Sequence, residues 1–99
     1  MKRIIFSKRS KIQLESLLEY LESKFSILIQ QKFITKFDKI ILTIQKNPDT
    51  FVKSEINNRI RKCVISKQTT LYYSYNANEI RILALFDNRQ NPTKIKNIK

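Results

Sequence analysis

Arginines and tyrosines gather in the last third of the chain, in RIRKCVIS (59–66), TTLYYSY (69–75) and IRILALFDNRQNP (80–92). A guanidinium offers a planar fork of donors that fits phosphate or carboxylate. Arg89 is well placed to present one, because it stands beside a proline-containing turn, with Asp87 two residues earlier able to orient it. Cys63 is the single cysteine, flanked by Lys62 and Val64 in a strand-like run, where a buried inert thiol is the expected state. With no histidine in the sequence, Cys–His nucleophilic chemistry is excluded and a zinc site is not expected, nor any other metal or cofactor. The remaining proton carriers are lysine, tyrosine and the carboxylates. A polyanionic or acidic partner suits these residues better than a covalent reaction does.

The three segments lie too close together for helical crossovers, so they predict an antiparallel meander. Its turns fall near Lys67–Gln68 and at Asn76–Ala77–Asn78. The chain has no glycine, so Asn76 or Asn78 is expected to supply any positive φ at the second turn. Upstream, residues 3–7 carry a short apolar strand centred on Ile4, Ile5 and Phe6. Ser7 or Ser10 then offers an N-cap, and Ser10–Gln13 has capping-box spacing. Leu14, Leu17, Leu18, Leu21 and Phe25 recur at helical spacing, with Glu15, Glu19 and Glu22 off the stripe. From about Ser26 a second stripe runs through Leu28 or Ile29, Phe33, Phe37, Ile40, Ile41 and Ile44. It should stop at Lys46–Asn47–Pro48, with Asn47 in a left-handed cap. A loop of about ten residues follows, from 47 to 58, with Phe51 and Val52 as candidate pins to the core. The expected fold is α+β: an N-terminal strand and a helical hairpin packed on a small antiparallel sheet, in the order β-α-α-β-β-β. The sheet face away from the hairpin would be open, basic and tyrosine-bearing.

The chain has 99 residues, enough for one modest core. Residues 1–90 read as a single domain and 91–99 as a basic C-terminal tail. Lys and Arg number 20 against 8 Asp and Glu, a net charge of +12, which draws polyanions and acidic proteins. The opening MKRIIFSKRSK has too short an apolar run for a signal peptide, and no run approaches membrane-spanning length. No membrane association and a cytoplasmic location are expected, the lone cysteine fitting a reducing compartment.

QKNP (45–48), IRK (60–62), LYYSY (71–75) and above all ILALFDNRQNP (82–92), in this order of elements, resemble the RelE/ParE toxins of type II toxin–antitoxin systems. The likeness spans nearly the whole chain and is stronger to the ParE-like branch. It implies a bacterial toxin that inhibits growth and is neutralised by a cognate antitoxin in a hetero-oligomer. RelE-like members cut mRNA on the ribosome, for which they carry basic residues on the first meander strand, an arginine at the start of the next and an acid–base group near the C-terminus. Here Arg61 is kept, but Cys63 stands where a second basic residue is expected, Thr70 replaces the arginine, and no tyrosine follows Tyr75. ParE-like members lack that set too, and the implied action is binding of DNA gyrase with no reaction catalysed by the toxin. Ribosome-dependent mRNA cleavage is the alternative. Arg61, Tyr73 and Arg89 match recurrent positions of the family and are the expected target contacts. Tyr73 could equally fill the core, and Arg61 could pair with an antitoxin carboxylate or with Glu55. Lys62, Lys67 and Lys94 are further candidate contacts to phosphate or an acidic partner. The toxin's helices and one sheet edge are the surfaces an acidic antitoxin segment would cover.

Overall fold

A computed structural model of the chain describes residues 1–89; the tail 91–99, and Lys94 with it, lies outside the described residues. The elements are β1 (Arg3–Phe6), α1 (Lys8–Lys24), α2 (Ile27–Lys46), β2 (Val52–Lys53), β3 (Arg61–Val64), β4 (Thr69–Tyr75) and β5 (Glu79–Asp87). The expected meander is present: β3 pairs with β4 and β4 with β5, both antiparallel. The sheet as a whole is mixed, in the order β1-β5-β4-β3-β2. The difference lies at its edges, where β1 joins β5 in parallel, Ile4 opposite Ile80. The two-residue β2, which falls within the expected loop, adds to β3.

The helices start where serine can cap them. Ser7 precedes α1 in extended conformation and its Oγ accepts the Ser10 amide. Ser10 is therefore inside the helix, and the Ser10–Gln13 capping box does not form. Ser10 is buried instead, its Oγ 2.9 Å from the carbonyls of both Ser7 and Ile82, either of which can take its proton. Ser26 caps α2 in the same way through the Ile29 amide. Asn47 ends α2 at φ −147°, extended rather than left-handed. No residue among those described has a positive φ. The β4–β5 turn manages without one because Asn76 Oδ1 accepts the amides of Asn78 and Glu79, an Asx turn that replaces what glycine would offer.

Both helices cover one sheet face. Leu17, Leu21, Phe33, Phe37 and Ile44 meet Cys63, Ile65, Leu71, Tyr73, Ile80, Ile82 and Leu85 there. Phe25, expected on the α1 stripe, is exposed at the hairpin tip, as are Leu28 and Ile29. The opposite face is less open than expected. Ile60, Tyr72, Ala84 and Phe86 form a second buried cluster with Leu83, the Tyr72 and Phe86 rings meeting edge to face at 6.0 Å. That face can be apolar at five neighbouring positions because β5 bulges. Tyr72 lies opposite Ala84 and Tyr73 opposite Ile82, leaving Leu83 as the extra residue. Helix α1 satisfies the backbone that the bulge frees: Ser7 Oγ lies 3.0 Å from the Leu83 carbonyl and Gln13 Oε1 accepts the Leu85 amide at 2.8 Å.

Candidate functional site

The expected contact residues divide between two ends of the meander. Arg61 lies opposite Tyr73, whereas Asp87, which leads to Arg89, lies opposite Thr69. These positions are four steps apart along β4, about 13 Å of strand.

At the first end the side chains hold down the segment after α2. Tyr73 is fully buried, its ring edge-on to Phe51, and its hydroxyl donates to the Pro48 carbonyl at 2.6 Å. Burial pushes the hydroxyl up to about 12, against the lowering pull of Arg61. Arg61 Nη1 donates to the Phe51 carbonyl at 2.8 Å, and Nη2 meets Asp49 Oδ1 at 3.1 Å. Its carboxylate partner is thus Asp49 and not Glu55, because the guanidinium shares the helix-covered face with Tyr73, while on the other face burial and, after it, the charge of Glu55 raise the hydroxyl of Tyr72. Tyr75 donates to the same Asp49 carboxylate, which raises its hydroxyl. The Tyr75 ring has Arg61 5.8 Å from its centroid and Lys2 Nζ 5.7 Å from it. Asp49, Tyr75 and Lys2 were not singled out in the sequence; the signal for Asp49 was its place directly after the Asn-Pro helix stop.

At the second end, Arg89 reaches back to Asp87. Its Nε and Nη2 donate to the two carboxylate oxygens at 2.9 and 2.5 Å, and its amide donates as well at 3.0 Å. Asp87 has no exposed side-chain surface and also accepts from Thr69 Oγ1 at 2.8 Å. Burial alone would raise this carboxyl, but the donors from Arg89 and Thr69 outweigh it and hold it low; the same bonds raise Arg89. The guanidinium lies 5.5 Å from the centre of the exposed Phe25 ring and keeps 26% of its side-chain surface in solvent. Arg89 is therefore oriented, half-exposed and backed by an aromatic ring.

The other candidates do not join either group. Lys62 is half-buried on the face away from the helices, opposite Tyr72, and Lys67 is exposed in the β3–β4 turn, at the Arg89 end. Cys63 is wholly buried in the core, its thiol pushed up to about 11 by burial. A lysine or arginine at that position would have to displace core packing. Thr70 lies half-buried opposite Val64 and Phe86. Among the described residues no cluster of side chains is arranged to hold a metal, and no helix is long and apolar enough to cross a membrane.

A strand and helical hairpin laid on a sheet whose first strand runs parallel beside the last define the RelE/ParE type of toxin fold. This chain has that fold. It is similar to a chain of the chromosomal ParDE TA system from P. aeruginosa, with a TM-score of 0.71 at 12% identity over 88% of this chain and 96% of that one. A copper-bound mutant toxin from Helicobacter pylori gives 0.67 at 18% identity, covering 92% and 99% of the two chains. The YoeB dimer from Staphylococcus aureus gives 0.60 at 17%, covering 86% and 94%. No family profile and no curated protein matches the chain in sequence.

Proposed function

We propose that this chain is the toxin of a type II toxin–antitoxin module, acting in the cytoplasm, and that it arrests growth by binding DNA gyrase without catalysing a reaction. A cognate antitoxin neutralises it in a hetero-oligomer. The observation that carries the toxin reading is the shared fold, which extends over 96% of a chain of a ParDE system. The site chemistry favours binding over catalysis. An RNase of this architecture needs a proton carrier near the ribose 2′-OH and free cations about the phosphate. Here the Tyr73 hydroxyl is committed to Pro48 and pushed up to about 12, far from the range of a working acid or base at neutral pH. Arg61 is committed to Asp49 and Phe51. Arg89 is the leading direct contact to the target, its guanidinium aimed by Asp87 and half-exposed. Arg61 and Tyr73 act through the loop they hold, with Lys62, Lys67 and Lys94 as supporting contacts to phosphate or an acidic partner.

Ribosome-dependent mRNA cleavage of RelE type is the second reading, favoured by the net charge of +12 and by the likeness to YoeB. Purified chain added to gyrase and plasmid separates the two. Loss of supercoiling with accumulation of cleaved DNA is the expected result. Unchanged gyrase activity, with mRNA cut in a translating extract, would replace this reading by the second.

A further inference from the structure

The basic residues of α2 fall in a single row. Lys32, Lys36, Lys39 and Lys46 of α2 are all exposed, and at about 100° per residue they fall within a sector of about 80° that runs some 21 Å along the axis. None of the four takes part in an ion pair among the described residues. The one carboxylate on this helix, Asp38, lies about 120° from the middle of the row. Helix α1 is mixed in sign outward, with Glu15, Glu19 and Glu22 exposed on the same side as Lys8 and Lys11. A surplus of lysine serving only solubility would be interspersed with acid, as it is on α1; on α2 it forms a continuous cationic edge.

From this row we infer that the outer face of α2 is a binding surface for the phosphate backbone of a nucleic acid duplex. Between Lys32 and Lys46 the sector holds only Thr43 besides the lysines, and that hydroxyl is turned back to the Lys39 carbonyl. An acidic amphipathic helix would need apolar seats every third or fourth residue. Leu28, at the start of the row, is the one apolar residue in this sector, while Leu42 lies about 80° to its side. Flexible ammonium groups at 3-, 4- and 7-residue intervals suit a line of phosphates, which asks for charge and reach and not for a fixed fork. The surface goes beyond the toxin reading and stands or falls separately from it, since neither Arg61 nor Arg89 contributes to it.

The test is fluorescence anisotropy of the full chain with labelled 20-base-pair DNA and RNA duplexes between 50 and 200 mM salt. If three or four phosphates are neutralised by the row, it adds about 2.7 to 3.6 to the slope of log K against log salt, which is roughly a 40- to 150-fold loss over that range. A variant with Lys32, Lys36, Lys39 and Lys46 all changed to Gln should lose that increment. A charge-matched variant with Lys8, Lys11, Lys24 and Lys53 changed to Gln should keep most of it. Circular dichroism verifies that both variants fold. Retention by the control on either duplex supports the assignment and identifies the preferred nucleic acid. Equal losses in the two variants would reduce the effect to net charge and overturn it. Tighter binding of a Glu-rich helical peptide than of either duplex would also overturn it.

Discussion

Replacing Arg89 by alanine is expected to destabilise the domain far more than loss of an ordinary surface arginine. Asp87 is buried and takes three side-chain hydrogen bonds, one from Thr69 and two from Arg89. The substitution removes two of them and leaves the buried carboxylate without a cation, held only by Thr69 and the residue-89 amide. Breaking a buried pair costs about 3–5 kcal/mol; because the Arg89 side chain is 26% exposed, solvent screening puts the expected cost near the lower end, about 3 kcal/mol. At roughly 4–8 °C per kcal/mol for a domain of this size, the melting temperature should fall by about 12–24 °C. The pH dependence has a definite sign. Arg89 and Thr69 hold the Asp87 carboxyl below its ordinary value, so their contribution is full above about pH 3.9 and is lost as pH falls through the lowered folded value. In the variant, burial acts with less opposition and raises the carboxyl, so protonation relieves the stranded charge. Urea unfolding followed by circular dichroism should therefore show the largest deficit at pH 7 and a smaller one at pH 4. A deficit below about 1 kcal/mol at pH 7, the range of exposed pairs, or one equal at both pH values, would refute the role given to this pair.

Ser7→Ala removes the cap of α1 and should cost about 1–2 kcal/mol in urea unfolding. A cost within 0.3 kcal/mol of zero would contradict the capping geometry. Gln13→Ala orphans the Leu85 amide at the bulge and should cost about 1–3 kcal/mol, with faster hydrogen exchange at Leu85 as the specific signature. Tyr73→Phe loses the bond to Pro48, at about 1 kcal/mol, and should retain growth arrest; loss of arrest with stability intact would give the hydroxyl a direct role. The Cys63 thiol, raised from 9.0 to about 11, favours the fold fully below about pH 9. That contribution fades as pH rises through 11, by roughly 3 kcal/mol in all. Urea midpoints at pH 8 and 10.5 should diverge, less so in Cys63→Ala, and a thiol reagent at pH 8 should react with the native chain only as fast as it unfolds.

The elements that depend on local pattern were legible in the sequence. Two apolar stripes of helical period and three closely spaced strand runs determine the hairpin and the meander. The parallel seat of β1 beside β5 was not, because no local signal joins Ile4 to a partner 76 residues away. Nor was β2, too short to show any alternation. The bulge left a trace that went unread: from Ile82 to Phe86 every residue is apolar, which a strand facing one core does not require and a slip between two clusters does. For the site, Arg61 and Tyr73 were expected from the family resemblance, and Arg89 also from its guanidinium beside a proline-containing turn with Asp87 as a neighbour able to orient it. Spacing could not reveal that Tyr73 points into the core, or that Arg61 turns toward Asp49, since both depend on how the segment after α2 folds back across the end of the sheet.

The central claim is that this is a toxin that binds its target and does not cut RNA. Induced expression of the chain without its antitoxin, followed by parallel readouts of growth, DNA damage response and mRNA integrity, tests it most directly. The expected result is arrest with an active damage response and intact mRNA, reversed by co-expression of a cognate antitoxin. Codon-phased cuts in mRNA, or unimpaired growth at full expression, would contradict it.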